Sequence, residues 1–152
     1  METRLNNKAG SNVKANLATI LLVEDDPVVL STTARVLNRF GYEVLPYRHA
    51  REALASATRY EGEIHLLITD VMMPEMNGGH LAQGLRQHSP DLPVLYMSGY
   101  TDDILAEHGI RRENTHFVGK PFTPQELAAK VSAILRSDFQ VEGPKMYITA
   151  RK

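Results

Sequence analysis

Five short apolar runs, each separated from the next by enough chain to form a helix, constrain this sequence more than any other feature. They are Thr19-Ile20-Leu21-Leu22-Val23, Tyr42-Glu43-Val44-Leu45-Pro46, Leu66-Leu67-Ile68-Thr69, Pro93-Val94-Leu95-Tyr96-Met97 and His116-Phe117-Val118-Gly119. The first, third and fourth are apolar without alternation, the pattern of strands covered on both faces in a parallel sheet. The second is weaker and ends in Pro46, which puts it nearer a sheet edge. The intervals carry helical signals. Asp26 suits an N-cap and Pro27 a first turn, followed by apolar Val29, Ala34, Val36, Leu37 and Phe40 and a stop at Gly41. Ala50, Ala53, Leu54 and Ala57 mark a second helix, and Gly78-Gly79 leads into a third carrying Leu81, Ala82 and Leu85. Asp102 to about His108 makes a short fourth, closed by Gly109. Thr123-Pro124 opens a fifth with the apolar face Leu127, Val131, Ile134 and Leu135. Strands and helices alternating at this length predict an α/β fold. The expected architecture is a doubly wound, five-stranded parallel sheet with helices on both faces, joined by right-handed crossovers.

The 152 residues suit one domain with short flanks. Residues 1–17 are polar and aperiodic and read as a disordered leader or linker, 18–137 as the folded domain, and 138–152 as a C-terminal tail without clear pattern. A formal net charge of −1, with no basic patch or polybasic run, argues against binding nucleic acid or a membrane surface. Zero cysteines exclude disulfides, thiol catalysis and thiolate metal sites. No apolar segment approaches the roughly 18 residues of a membrane span. Arg4, Lys8 and Lys14 are followed by no apolar core of a secretory signal, so the expected location is the cytoplasm.

The chemistry sits at the strand ends. In a parallel sheet these ends share one edge, and open α/β sheets bind ligands outside it. Here they carry Glu24-Asp25, Asp70, Ser98 and Lys120. A lone aspartate at a strand end is ordinarily a turn residue. Three carboxylates brought together repel one another, and a hard divalent cation removes that cost. Mg²⁺ suits the set, with Asp25 and Asp70 as direct ligands and Glu24 reaching it through a water. Lys120 and Ser98 then remain as donors for an anion. Carboxylates, Mg²⁺, lysine and hydroxyl together describe a phosphoryl-transfer site, in which a charge-masked Asp70 can act as nucleophile and form an acyl phosphate. Asp26, before Pro27, is expected to cap its helix and not to bind metal. His49, His65, His80, His88, His108 and His116 show no metal-ligand spacing, which leaves a phosphohistidine donor to a partner. Met72, Met73 and Met76 read as gap-fillers beside the site.

The strings LLVEDDP, LLITDVMMPEMNG, VLYMSGY and FVGKPF resemble the four signature stretches of the response-regulator receiver domain of two-component signalling, in order, over roughly Thr19 to Ser137. The resemblance implies the flavodoxin-like strand order 2-1-3-4-5. It also implies a role for each matching residue. Asp70 becomes the phosphoacceptor, Glu24 and Asp25 the acidic metal pair, and Met72 the residue whose backbone carbonyl completes the Mg²⁺ shell. Ser98 becomes the switch hydroxyl, Lys120 the partner of the phosphoryl group with a cis bond to Pro121, and Phe117 the aromatic switch residue. Gly99 stands where many relatives carry alanine, which loosens the loop after Ser98. Met72 and Tyr100 occupy the two positions that tune attack of water on the acyl phosphate, and both are bulky.

The implied function is a phosphoacceptor receiver module of a two-component phosphorelay. It takes a phosphoryl group from a phosphohistidine onto Asp70 in a Mg²⁺-dependent reaction and switches conformation. Such a module is a signalling domain and not an enzyme, apart from weak self-phosphorylation and autodephosphorylation. Its implied partner is a histidine kinase or histidine phosphotransfer protein, with no direct nucleic-acid or membrane contact, and it is expected as a monomer or weak homodimer. A Mg²⁺-dependent phosphatase with an aspartyl nucleophile is the enzyme alternative, but the haloacid-dehalogenase type needs a second acid where Met72 stands. A non-phosphorylated scaffold receiver is the other alternative, and the complete set of Glu24, Asp25, Asp70, Ser98 and Lys120 weighs against it. No G-x-G-x-x-G or P-loop follows the first strand, which weighs against nucleotide binding. MSGYTDD and KPFTPQEL look most like receivers at the C-terminal ends of hybrid sensor histidine kinases, and a freestanding regulator stays open.

Overall fold

Every neighbouring strand pair is parallel in the computed structural model, which describes residues 17–99, 106, 110 and 114–150, with side chains as far as 137. The strands are β1 (Thr19–Val23), β2 (Glu43–Tyr47), β3 (Leu66–Asp70), β4 (Val94–Ser98) and β5 (Thr115–Gly119). They lie in the order β2-β1-β3-β4-β5, as the family resemblance implies. The helices are α1 (Pro27–Arg39), α2 (Ala50–Arg59), α3 (Gly78–Arg86) and α4 (Pro124–Ala150). The short helix expected over Asp102 to His108 lies, apart from Ala106, outside the described residues, as do residues 1–16 and Tyr100.

Strand side chains alternate between two cores. Ile20, Leu22, Leu66, Ile68, Leu95 and Met97 point to one face, where Leu37 of α1 and Leu127, Val131, Ile134 and Leu135 of α4 cover them. Leu21, Val23, Leu67, Val94 and Tyr96 point to the other, beneath Ala50 and Ala53 of α2 and Leu81, Ala82 and Leu85 of α3. Burial on both faces is what the unbroken apolar runs require, and each large side chain so buried contributes about 1.5–3 kcal/mol. Pro46 lies inside β2, opposite Leu22, and is tolerated because β2 is an edge strand.

Local signals set the helix starts. The Asp26 side chain accepts from the backbone N–H groups of Val28 (2.8 Å) and Val29 (3.3 Å), the capping role expected of it. Thr123 Oγ1 accepts from Glu126 N–H (3.1 Å) while Glu126 Oε2 accepts from Thr123 N–H (3.4 Å), a reciprocal capping box. Asn77, which the sequence reading passed over, caps α3 by accepting from His80 N–H at 2.8 Å.

Two expectations are corrected. Phe40 is 51% exposed and not part of the α1 apolar face, because the helix ends at Arg39 and the chain reverses through Gly41 at φ +94°. The last helix continues to Ala150, so the segment from Asp138 onward is helical backbone where a patternless tail was expected. Among the described residues, no helix is long and apolar enough to cross a membrane.

Candidate functional site

The parallel register determines what meets at the carboxyl edge. Val23 pairs with Thr69, Asp70 with Met97, and Ser98 with Gly119, so the residues that end β1, β3, β4 and β5 lie side by side. Carboxylate oxygens of Glu24, Asp25 and Asp70 lie within 4.8 Å of one another. Lys120 Nζ donates to Glu24 Oε2 at 2.9 Å and to Asp70 Oδ2 at 3.0 Å, tying the end of β5 to those of β1 and β3. Asp70 Oδ1 accepts from Val71 N–H at 2.8 Å, so both oxygens of this carboxylate are held. The Lys120–Pro121 peptide is cis.

Electrostatics follow from burial. Glu24 is 1% exposed, and burial pushes its carboxyl above the usual range, although the hydrogen bond and charge of Lys120 pull the other way. Burial alone would lower the Lys120 ammonium, but its hydrogen bonds to Glu24 and Asp70 and their negative charge outweigh that and hold it above its ordinary value. Lys120 therefore stays charged, and with three carboxylates around one ammonium the cluster keeps a negative excess. Oxygen donors in that arrangement fit a hard divalent cation. Among the described residues this is the one group of three or more acids or histidines close enough to hold a metal.

The remaining sequence candidates sit around this cluster. Ser98 is buried at the end of β4, and its carbonyl accepts from Lys120 N–H at 3.0 Å. Met72 follows Asp70 by two residues with its side chain 44% exposed, while Met73 and Met76 pack against the α2/α3 core as gap-fillers. Phe117 is half-buried on β5, stacked on Tyr96 with ring centroids 5.6 Å apart.

Two residues, Arg48 and Gly78, hold roles at this site that the sequence did not assign to them. Arg48, after β2, donates from Nε and Nη2 to the Asp25 carbonyl, each at 3.4 Å. Gly78 donates its N–H to Val71 O at 2.8 Å, and a Cβ at this position would stand 2.2 Å from the Asp70 carbonyl oxygen. The glycine is thus needed for close approach between the start of α3 and the end of β3. Gly78→Ala is expected to displace the Asp70 peptide and lower the free energy of unfolding in urea by about 1–3 kcal/mol, the range for overpacking. The signal for Gly78 was present as a Gly-Gly pair eight residues after the acid. Nothing local distinguishes Arg48, whose partner lies 23 residues away.

Comparison with known proteins agrees with this geometry. The family model for the response regulator receiver domain matches residues 20–132. The sensor kinase CckA of Brucella abortus is 36% identical over 118 residues, covering 78% of this chain and 12% of the kinase. The alkaline phosphatase synthesis transcriptional regulatory protein PhoP of Bacillus subtilis is 31% identical over 117 residues, 77% of this chain and 48% of that protein. The chain therefore spans about half or less of these curated relatives. The crystal structure of the receiver domain of the hybrid histidine kinase CckA is similar, with a TM-score of 0.67, 36% identity, and coverage of 78% of this chain and 99% of that one. The sheet order, the clustered strand-end acids and the match over three quarters of its length together show that this chain belongs to the response-regulator receiver domains, the phosphoacceptor modules of two-component signalling.

Proposed function

We propose that Asp70 is the phosphoacceptor and that it receives its phosphoryl group from a phosphohistidine of a histidine kinase or histidine phosphotransfer protein. The observation that carries this reading is Lys120 Nζ bridging Glu24 (2.9 Å) and Asp70 (3.0 Å) inside a cluster of three carboxylates. Glu24, Asp25 and Asp70, with the backbone carbonyl of Met72, are the residues that would hold Mg²⁺. When bound, the cation supplies neutralisation of the negative charge that a phosphoryl group brings to an acidic pocket.

In the transfer, an Asp70 carboxylate oxygen forms the new P–O bond as the P–N bond to the donor imidazole breaks. The electron pair leaves with the imidazole nitrogen, which takes up a proton. Lys120, already within 3.0 Å of Asp70, pairs with the phosphoryl oxygens that arrive. Ser98, one residue beyond the Met97 that pairs with Asp70, offers a hydroxyl to the same group, and its movement frees space for Phe117 to turn inward. A charge change at Asp70 thereby biases a two-state surface on β4 and β5. Weak self-phosphorylation from small donors and slow autodephosphorylation belong to the same chemistry. The functional unit is residues 18–137, working in the cytoplasm.

Met72 sets the lifetime of the acyl phosphate by placing apolar bulk where water would approach. Met72→Asn is expected to shorten the half-life several-fold, followed by loss of the phosphorylated mass after the donor is removed, and an unchanged or longer half-life would refute the shielding role. The function itself is tested with phosphoramidate, a small donor that also carries a P–N bond. Intact mass should rise by one phosphoryl group in the presence of Mg²⁺ and not when EDTA is added. Equal labelling with and without Mg²⁺ would refute the metal requirement, and no labelling from any phosphohistidine donor would refute the reading as a whole.

A further inference from the structure

Arg48 touches the acidic loop from the rim of the site. It lies between β2 and α2, its side chain is exposed, and both Nε and Nη2 donate to the Asp25 carbonyl at 3.4 Å. The other hydrogen bonds of that loop show what this grip adds. Glu24 N–H donates to Tyr47 O at 3.1 Å, and Asp26 N–H donates to Glu24 Oε1 at 3.3 Å. The Asp26 side chain caps α1, and its carbonyl accepts from Leu30 N–H at 2.9 Å. Glu24 and Asp26, on either side of Asp25, are therefore anchored by β2 and by α1, and the guanidinium of Arg48 takes the Asp25 carbonyl between them.

We propose that Arg48 is a positioning residue for divalent-cation binding. Its two donors converge on the Asp25 carbonyl oxygen and restrain the backbone from which the Asp25 carboxylate enters the cluster with Glu24 and Asp70. The inference rests on the reading that these three carboxylates hold the cation. A ligand already held in place loses less conformational freedom on binding, and partners one bond removed from a metal ligand tune its affinity. The charge of Arg48 acts in the opposite direction, since a guanidinium near the cluster repels Mg²⁺. Removing a purely electrostatic Arg48 would tighten Mg²⁺ binding, whereas removing a positioning Arg48 weakens it. The two roles differ in sign.

The test is Mg²⁺ binding to the full chain by isothermal titration calorimetry, comparing wild type, Arg48→Ala and Asp25→Asn. Arg48→Ala is expected to weaken binding by roughly three- to tenfold, at or below the lower end for outer-shell partners because the contact is exposed and long. Asp25→Asn is expected to weaken it further. Wild-type binding that Arg48→Ala leaves unchanged or tightens overturns the positioning role alone. Absence of Mg²⁺ binding by the wild type overturns the cation site, and this inference with it.

Discussion

Asp70→Asn is expected to take up no phosphoryl group from phosphoramidate or from a phosphorylated histidine kinase, while keeping its fold. The amide has nearly the shape of the carboxylate, so its oxygen still accepts from Val71 N–H, the bond that now measures 2.8 Å. What is lost is the anionic nucleophile and the ion pair to Lys120. Losing that ion pair is destabilising, but losing one of three mutually repelling carboxylates is stabilising. The two effects oppose each other, and the free energy of unfolding should change by no more than about 1 kcal/mol. Activity and stability therefore separate: labelling falls to background with the urea midpoint nearly unmoved. Intact mass spectrometry reads the first and chemical denaturation the second. Labelling of Asp70→Asn at the wild-type rate would mean that another side chain accepts the phosphoryl group.

Lys120→Ala is expected to split cation binding from phosphoryl transfer. In the wild type, Lys120 Nζ competes with a cation for Glu24 and Asp70, at 2.9 and 3.0 Å. Its removal deepens the negative potential of the cluster, so Mg²⁺ binding should be as tight as in the wild type or tighter. Phosphorylation should fall about 100-fold or more, because a preorganised cation beside developing charge is lost. Without Mg²⁺ the variant should also lose about 2 kcal/mol of stability, since the buried Glu24 carboxylate loses its ion-pair partner. Adding Mg²⁺ should restore most of that. Calorimetry, intact mass and denaturation with and without Mg²⁺ check the three parts. A Lys120→Ala protein that lost Mg²⁺ binding and phosphorylation together would show that the lysine serves mainly to hold the site's shape.

The parts of the molecule that were legible in sequence are those governed by period and local chemistry. Short apolar runs located all five strands, and those of β1, β3 and β4 are unbroken because a two-sided core leaves no polar alternation along them. Asp26-Pro27 and Thr123-Pro124 announced helix starts through caps that act within three residues. The acids at the strand ends were legible as a cluster because parallel strands bring their carboxyl ends to one edge. Contacts that depend on side-chain reach across the fold were not. The bond from Lys120 to the Glu24 carboxylate spans 96 residues, and no local signal announces it. Arg48 carries no sequence mark of its bond to Asp25, and the tight approach of Gly78 to Asp70 emerges only once α3 is docked. Phe40 misled because hydrophobicity says nothing of where the chain turns, and Gly41 turns it one residue later. The extension of α4 to Ala150 lay beyond its apolar face, where periodicity has no signal to give.

Reduction of the acyl phosphate followed by peptide mapping tests the assignment of Asp70 most directly. Borohydride converts an aspartyl phosphate to homoserine and leaves free aspartate and phosphohistidine unchanged. After labelling with phosphoramidate and Mg²⁺, homoserine is expected at position 70 and at no other aspartate, and it should disappear when EDTA replaces Mg²⁺. Homoserine at Asp25 or Asp26, or a phosphoryl group that resists borohydride and maps to a histidine, would contradict the assignment of Asp70 as the phosphoacceptor.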